Sequence, residues 1–268
     1  MTTSDDEAAQ WWATSITRIA PGEIDHRGVP VEELIGRTGF VEMIWFMVVG
    51  GTPTPSQTRL LEAALVAATD HGPQAPSIAI ARMTVTCGVG LNGAVASGVN
   101  ALGDVHGGAG EQCVVMLDDA IARVADGESW DDAAVAIVDE HRRRSAYVPG
   151  FGHRFHPRDP RRDPLLGLVS EAVASGDVPG RHLEAALAFE RALDRPGRRP
   201  VPMNIDGATA VIYGELGLPA PLARGLFLLS RSVGILAHAW EERQSGVRNK
   251  GPLPRTVLPA YRPGPEAG

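Results

Sequence analysis

Ile78-Ala79-Ile80-Ala81-Arg82-Met83-Thr84-Val85-Thr86-Cys87-Gly88-Val89-Gly90-Leu91-Asn92-Gly93 is the stretch whose assignment separates two fold classes. Ile78 to Thr86 carries the β-branched pattern of a strand, and Gly88 to Gly93 fits G-x-G-x-x-G. Together they describe a strand-to-helix turn with a dinucleotide phosphate at the helix N-terminus. The surroundings oppose that reading, because no further alternating βαβ units follow. Pro76 to Leu102 as a whole is apolar, rich in small residues and poor in charge. That suits a buried helix pair or a helix–strand unit, and periodicity alone does not decide. With the glycines assigned to helix packing, the chain is expected to be all-α.

The rest of the sequence supports that class. Val31 to Val49 has helical spacing after Pro30. Thr54-Pro55 opens a helix, Thr as N-cap and Pro in the first turn, that stops before Gly72-Pro73. Further helices are expected over Gly110 to Val124, Trp130 to Arg144, Pro164 to Ser175, Arg181 to Leu193, Ala208 to Leu216 and Pro221 to Arg243. Proline, glycine and arginine crowd Val148 to Asp163 and Asp194 to Pro202, which read as loops or hinges. A smaller helical domain over 110–200 is therefore expected to move against a larger discontinuous one built from 1–109 and 201–268. The tail from Gly251 carries five prolines and is expected to run extended over a surface or a neighbouring subunit.

The chain has 268 residues, 44% hydrophobic and 21% charged, with a formal net charge of -7. This is globular composition, and the acidic balance argues against nucleic acid or an anionic membrane as partner. The polar, acidic N-terminus is the reverse of a signal peptide, and Arg231 interrupts the longest apolar run, Gly225 to Trp240. A soluble, cytoplasmic protein is expected. Cys87 and Cys113 form no CxxC pair and read as small apolar residues.

Three segments carry chemistry. Gly103-Asp104-Val105-His106-Gly107-Gly108-Ala109, Pro149-Gly150-Phe151-Gly152-His153-Arg154 and Asn204-Ile205-Asp206-Gly207 each set one titratable side chain among glycines or small residues. Two imidazoles and a carboxylate are the groups needed to abstract a proton next to a carbonyl. Each alone has a plainer reading: a loop histidine for His106 and His153, a helix N-cap for Asp206. His153 and His156 are three apart, but no zinc-binding spacing accompanies them. Arg154, Arg158, Arg161 and Arg162 are either a solvated charge run or a site for carboxylate or phosphate. Arg231, inside an apolar helix, needs an anionic partner from the protein or from a substrate.

These segments resemble the citrate synthase superfamily, which includes citryl-CoA lyases and the citryl-CoA lyase module of ATP citrate lyase. The likeness begins at His26-Arg27-Gly28-Val29-Pro30-Val31-Glu32-Glu33-Leu34. It continues through Gly51-Thr52-Pro53-Thr54, Asp70-His71-Gly72-Pro73 and the two histidine loops, and ends at Arg231-Ser232-Val233-Gly234-Ile235-Leu236-Ala237-His238. The resemblance implies an all-helical, two-domain, dimer-based enzyme. In it His106 binds the acetyl-CoA thioester carbonyl, Asp206 moves the methyl proton, and His153 faces the ketone of oxaloacetate or the alcohol of citryl-CoA. It also implies that His71, Arg161 and Arg231 hold substrate carboxylates, and that the backbone of Val148, Pro149, Gly150, Phe151 and Gly152 reads the CoA adenine. The chain is shorter than an ordinary citrate synthase, and in size is similar to a stand-alone citryl-CoA lyase. The arginine that the family contributes from a partner subunit has no clean equivalent; Arg248 and Arg255 flank the place, which Gly251 occupies.

The expected activity is citryl-CoA cleavage to acetyl-CoA and oxaloacetate, with citrate synthase, or condensation with a related 2-oxo acid, as the alternative. A catalytically silent, ligand-binding relative is the alternative of another class. No permanently bound cofactor or metal is expected, the CoA thioester being the substrate. The sequence carries no P-loop or other clear ATP-binding motif, so either a separate ligase supplies citryl-CoA, or the enzyme condenses acetyl-CoA with oxaloacetate and hydrolyses the thioester.

Overall fold

The Pro76–Leu102 question is settled by a helix pair. In the computed structural model, which describes residues 3–154, 156–194, 200–254, 256–262 and 264, helix α5 spans Pro76–Thr86 and helix α6 spans Leu91–Asn100. The strand pattern at Ile78 to Thr86 is overridden: Ile78, Ala81 and Val85 recur at helical spacing and are buried on one face. Gly88, at φ +87°, reverses the chain, and Gly90 begins α6. A Cβ on Gly98 would lie 2.8 Å from the Ser77 carbonyl oxygen and 2.9 Å from Ile235 Cγ2, so glycine permits the close approach of α6 to its neighbours.

The remaining elements are α1 (Thr3–Trp11), β1 (Thr17–Ala20), β2 (Glu23–His26), β3 (Val29–Pro30), α2 (Val31–Leu34), α3 (Phe40–Val48), α4 (Pro55–Ala68), α7 (Ala109–Ala125), α8 (Trp130–Arg143), α9 (Arg162–Ala174), α10 (Arg181–Leu193), α11 (Ile205–Glu215) and α12 (Ala220–Gln244). Thr54 caps α4, accepting from the Gln57 amide while the Gln57 side chain accepts from the Thr54 amide. The helix expected over Val31 to Val49 is broken. Ile35 is extended and Gly36 sits at φ +76°, so α2 and α3 are separate. An antiparallel sheet in the order β1-β2-β3 precedes them, unforeseen in an otherwise helical chain.

Two apolar clusters organise the helices. One joins α3, α4, α7 to α11 and the start of α12 around Leu60, Leu117, Val138, Phe189 and Ile212; the other joins α5, α6 and the far half of α12 around Ile78, Ala94 and Ile235. Burying such side chains contributes roughly 1.5–3 kcal/mol each. Helix α12 serves both clusters. It is long and apolar enough to cross a bilayer, yet it packs on α4, α5, α6 and α7 and carries a buried arginine, as a core helix does. Past α12, the Asn249 and Lys250 amides bond to Thr86, and Lys250 Nζ pairs with buried Glu242. Residues 195–199 of the expected hinge, and Arg255, lie outside the described residues.

Candidate active site

His106 sits in the turn between α6 and α7. Gly107 takes φ +106°, and a Cβ on Gly108 would lie 2.6 Å from the Asp104 carbonyl oxygen, so the turn closes only with glycine. The turn is pinned from α12, where Arg224 pairs with Asp104 at 2.7 Å and also with Glu111. His106 Nε2 lies 3.1 Å from the backbone amide of Ser77 and 3.0 Å from its hydroxyl. A backbone amide only donates, so Nε2 is the bare nitrogen and the proton resides on Nδ1. The contact falls at the first turn of α5, whose positive dipole end disfavours imidazolium. Burial, followed by the charge of Arg231, holds His106 below the usual imidazole range. His106 is therefore a neutral imidazole with a fixed donor. Ser77, fully buried, fixes it and has no sequence signal of its own.

His71 follows the end of α4, and α12 holds that end in place. Ser230 donates to the Leu65 carbonyl and Arg231 Nε to the Ala68 carbonyl, 3.1 Å away. A Cβ on Gly234 would lie 2.2 Å from the Thr69 carbonyl oxygen. His238 Nε2 lies 3.3 Å from Asp70, whose carboxylate accepts from the Gly72 amide and so shapes the turn bearing His71. Arg231 is 5% exposed and lies 5.0 Å over the Phe227 ring. No protein carboxylate forms an ion pair with it among the described residues. Burial lowers its pKa, while the charges of Asp206 and Asp70 oppose that shift.

His153 and Asp206 arrive from different segments that are laced together. The Gly152 amide donates to the Pro202 carbonyl at 2.7 Å, and the Asn204 amide to the Gly150 carbonyl at 3.0 Å. Phe151 and Met203 form an antiparallel bridge between them. Asp206 is not the cap of α11. Asn204 is, its Oδ1 accepting from the Asp206 and Gly207 amides at 2.9 and 3.3 Å. The Asp206 carboxylate is thus released from capping. His153 Nδ1 accepts from the His156 amide at 3.0 Å, which places a neutral ring's proton on Nε2. The His71 ring stands edge-on to His153, centroids 5.5 Å apart.

Asp159, unmarked by any sequence motif, ties this half of the site together. Its fully buried carboxylate accepts from Arg161 Nε and Nη2, both at 2.9 Å, from the Arg161 amide at 3.0 Å and from the Ile205 amide at 3.1 Å. His153 Nε2 is 4.0 Å away. Burial raises the Asp159 pKa, but the Arg161 guanidinium and these amides outweigh it and hold it at about 2.

The electrostatics connect the set. Arg231 acts on His71, His106 and Asp206, and Arg161 acts on His71, His153 and Asp206. Burial lowers both His71 and His153; for His153, Asp159 opposes that shift. Burial raises half-buried Asp206, against Arg231 and Arg161. The Tyr213 hydroxyl is buried near Asp206 and has no hydrogen-bond partner among the described residues. The structure thus gathers His71, His106, His153, Arg161, Asp206 and Arg231 around one locus.

Other expectations are modified. The two-pronged face of Arg161 is taken by Asp159, and its Nη1 lies 3.4 Å from the Ala67 carbonyl. Arg158 pairs with Asp163, and Arg162 with Glu190 and Asp163, so these two arginines are structural ion pairs. In the Val148–Gly152 loop, the Phe151 ring packs on Phe189, and both the Gly150 carbonyl and the Gly152 amide are engaged with the Pro202–Asn204 segment. Arg248 lies past α12, lining a cavity of about 280 Å³ with Arg243 and Cys87, apart from the histidine cluster in the same chain.

Comparison with known proteins is consistent with this geometry. Residues 47–257 match the family model for the citrate synthase C-terminal domain. The citrate synthase of Acidithiobacillus ferridurans is 32% identical over 203 residues, 74% of this chain and 50% of that protein, so the chain spans about half the length of such relatives. The citryl-CoA lyase structure from Hydrogenobacter thermophilus superposes with a TM-score of 0.80 at 31% identity, covering 95% of this chain and 96% of that one. The ATP citrate lyase of Methanosaeta concilii, solved with (3S)-citryl-CoA, gives a TM-score of 0.78 at 20% identity over 99% of this chain and 45% of its own.

Proposed function

The chain belongs to the citrate synthase family, and on that premise we propose that it makes or breaks the carbon–carbon bond between acetyl-CoA and oxaloacetate, working as a citryl-CoA lyase. One observation carries the reading: a tautomer-fixed neutral imidazole, a second imidazole and a half-buried carboxylate converge beside a buried arginine that, among the described residues, has no ion-paired protein carboxylate. In cleavage, electrons of the breaking bond flow toward the thioester carbonyl, and His106 Nδ1–H bonds the developing enolate oxygen. Such a donor matters most where charge develops in the transition state. The enol collapses as Asp206 delivers a proton to the methylene carbon, giving the acetyl methyl group. In condensation Asp206 removes that proton. Its raised pKa suits both roles, bringing proton affinity closer to the working pH. Arg231, Arg161 Nη1 and His71 hold substrate carboxylates. The Val148–Gly152 backbone lies along the adenine of CoA.

The citrate synthase reading draws on one specific observation. The His156 amide bonded to His153 Nδ1 favours the Nε2–H tautomer, which donates to a ketone. Taking up the alcohol proton in cleavage needs the other tautomer, at the cost of that contact. The two directions therefore make different demands on one residue.

A dimer fits the exposed face of α12, where Leu229, Val233, Leu236 and Trp240 recur at three- and four-residue spacing and are 40%, 58%, 46% and 48% exposed. We place a second copy there, with Arg248 reaching the partner's site, and the 110–200 unit closing over bound thioester. Citryl-CoA comes from a separate ligase. The test is cleavage of citryl-CoA, followed by oxaloacetate formation, beside thiol release from acetyl-CoA plus oxaloacetate. Turnover in either supports the family chemistry and ranks the directions; CoA binding without turnover in both supports a silent relative.

A further inference from the structure

His153 and Asp206 stand 53 positions apart in the chain, yet their mutual placement decides whether the ketone-side imidazole and the methyl-side carboxylate address one substrate. The Asn204 side chain hydrogen-bonds to both of their segments. Asn204 Oδ1 accepts from the Asp206 and Gly207 amides, and Asn204 Nδ2 donates to the Gly152 carbonyl at 2.7 Å. The amide orientation is forced. Reversed, it would set NH2 against two N–H groups and oxygen against a carbonyl. We infer that Asn204 is a positioning residue: its side-chain amide clips the His153 loop to the first turn of α11, fixing His153 against Asp206.

The surroundings reinforce the clip without replacing it. A Cβ on Gly207 would lie 2.4 Å from the Gly150 carbonyl oxygen, so the two segments touch backbone to backbone. Glu190 accepts from the Met203 amide at 2.9 Å, and Asp159 from the Ile205 amide at 3.1 Å; both hold the 203–205 segment from its other sides. Among the described residues, Asn204 is the side chain that hydrogen-bonds both the start of α11 and the residue preceding His153. The consequence is mechanical: when the 110–200 unit moves, the clip draws the first turn of α11, and Asp206 with it, along with His153. A serine at this position keeps a capping oxygen but is too short to reach the Gly152 carbonyl. An aspartate keeps the cap, loses the donor and adds charge.

The inference rests on the roles proposed above for His153 and Asp206, so the test has an arm that needs no turnover. In wild-type protein and in Asn204→Ser and Asn204→Asp, the Gly152 and Asn204 amides are followed by residue-resolved hydrogen exchange, with kcat and KM measured for citryl-CoA. Both substitutions are expected to speed exchange at those two amides while the α11 interior stays protected. They are expected to lower kcat by ~10–100-fold, the scale set by misplacing a reacting group by about 1 Å, with KM within about twofold. Asn204→Ser is expected to leave in place the alkaline limb of the pH–rate profile, where Asp206 as proton donor is lost, and Asn204→Asp to move it upward through the added charge beside Asp206. Unchanged exchange in Asn204→Ser overturns the clip; faster exchange with unchanged kcat overturns its positioning role. A wild-type protein inactive toward every thioester sinks the functional reading instead, and exchange still decides the clip.

Discussion

Replacing Asp159 by asparagine removes the charge on which Arg161, the approach to Asp206 and the surroundings of His153 depend. The carboxylate accepts four hydrogen bonds, three from Arg161 and one from the Ile205 amide, while fully buried. Asparagine offers one oxygen, and its NH2 group faces donors. The magnitude follows from linkage. Asp159 titrates at about 2 against an ordinary 3.8. At ~1.4 kcal/mol per pH unit this corresponds to roughly 2–3 kcal/mol of stability. Because the folded-state pKa is depressed, that stability is fully present above 3.8 and is lost as pH falls through about 2. Breaking a fully buried ion pair costs ~3–5 kcal/mol. Arg161 is still 22% exposed and recovers some hydration, so the lower figure is expected. Urea unfolding at about pH 7 is predicted to show Asp159→Asn less stable by ~2–3 kcal/mol, with the gap closing as pH approaches 2. A variant within ~0.5 kcal/mol of wild type at neutral pH, or a gap that stays constant down to pH 2, refutes the reasoning.

The three site histidines are all held below the ordinary imidazole value, so the unfolded chain binds protons that the folded chain refuses. Stability is predicted to be complete above 6.5 and to decline as pH falls below it; His106→Asn, followed by denaturant titration, should flatten that slope. Gly234→Ala would set a methyl group 2.2 Å from the Thr69 carbonyl oxygen; a loss of ~1–3 kcal/mol, typical of overpacking, and a raised KM for the carboxylate substrate are expected from melting and kinetics. Glu215→Ala would strip the acceptor from the Gly180 and Leu183 amides at the start of α10, and a loss of ~1–3 kcal/mol by urea unfolding is expected, with KM unchanged.

How far the sequence could be read depended on the range of the interactions involved. Helix α10 ends where expected, and α4 begins at Thr54-Pro55, because caps and prolines act within a few residues. The β1–β2 hairpin escaped notice because Arg18, Glu23, Asp25 and His26 make it polar, so no apolar alternation marks it. Ile78 to Thr86 misled in the other direction, tertiary burial on α6 and α12 overriding β-branched propensity. His106, His153 and Asp206 were legible through their glycine-rich neighbours. Ser77 and Asp159 were not, nor was the long-range bond of Asn204 to Gly152, although Asn204 stands in a quoted segment. Each looks ordinary in its local sequence and gains its role from partners in other segments, 29 positions away for Ser77 and His106 and 46 for Asp159 and Ile205.

Steady-state cleavage of citryl-CoA by wild type and Asp206→Ala bears most directly on the claim that three remote turns assemble one proton-transfer site. Wild type is predicted to release oxaloacetate and acetyl-CoA, and the substituted protein, folded by circular dichroism, to lose at least ~100-fold of that rate. Equal rates in the two proteins would contradict the claim.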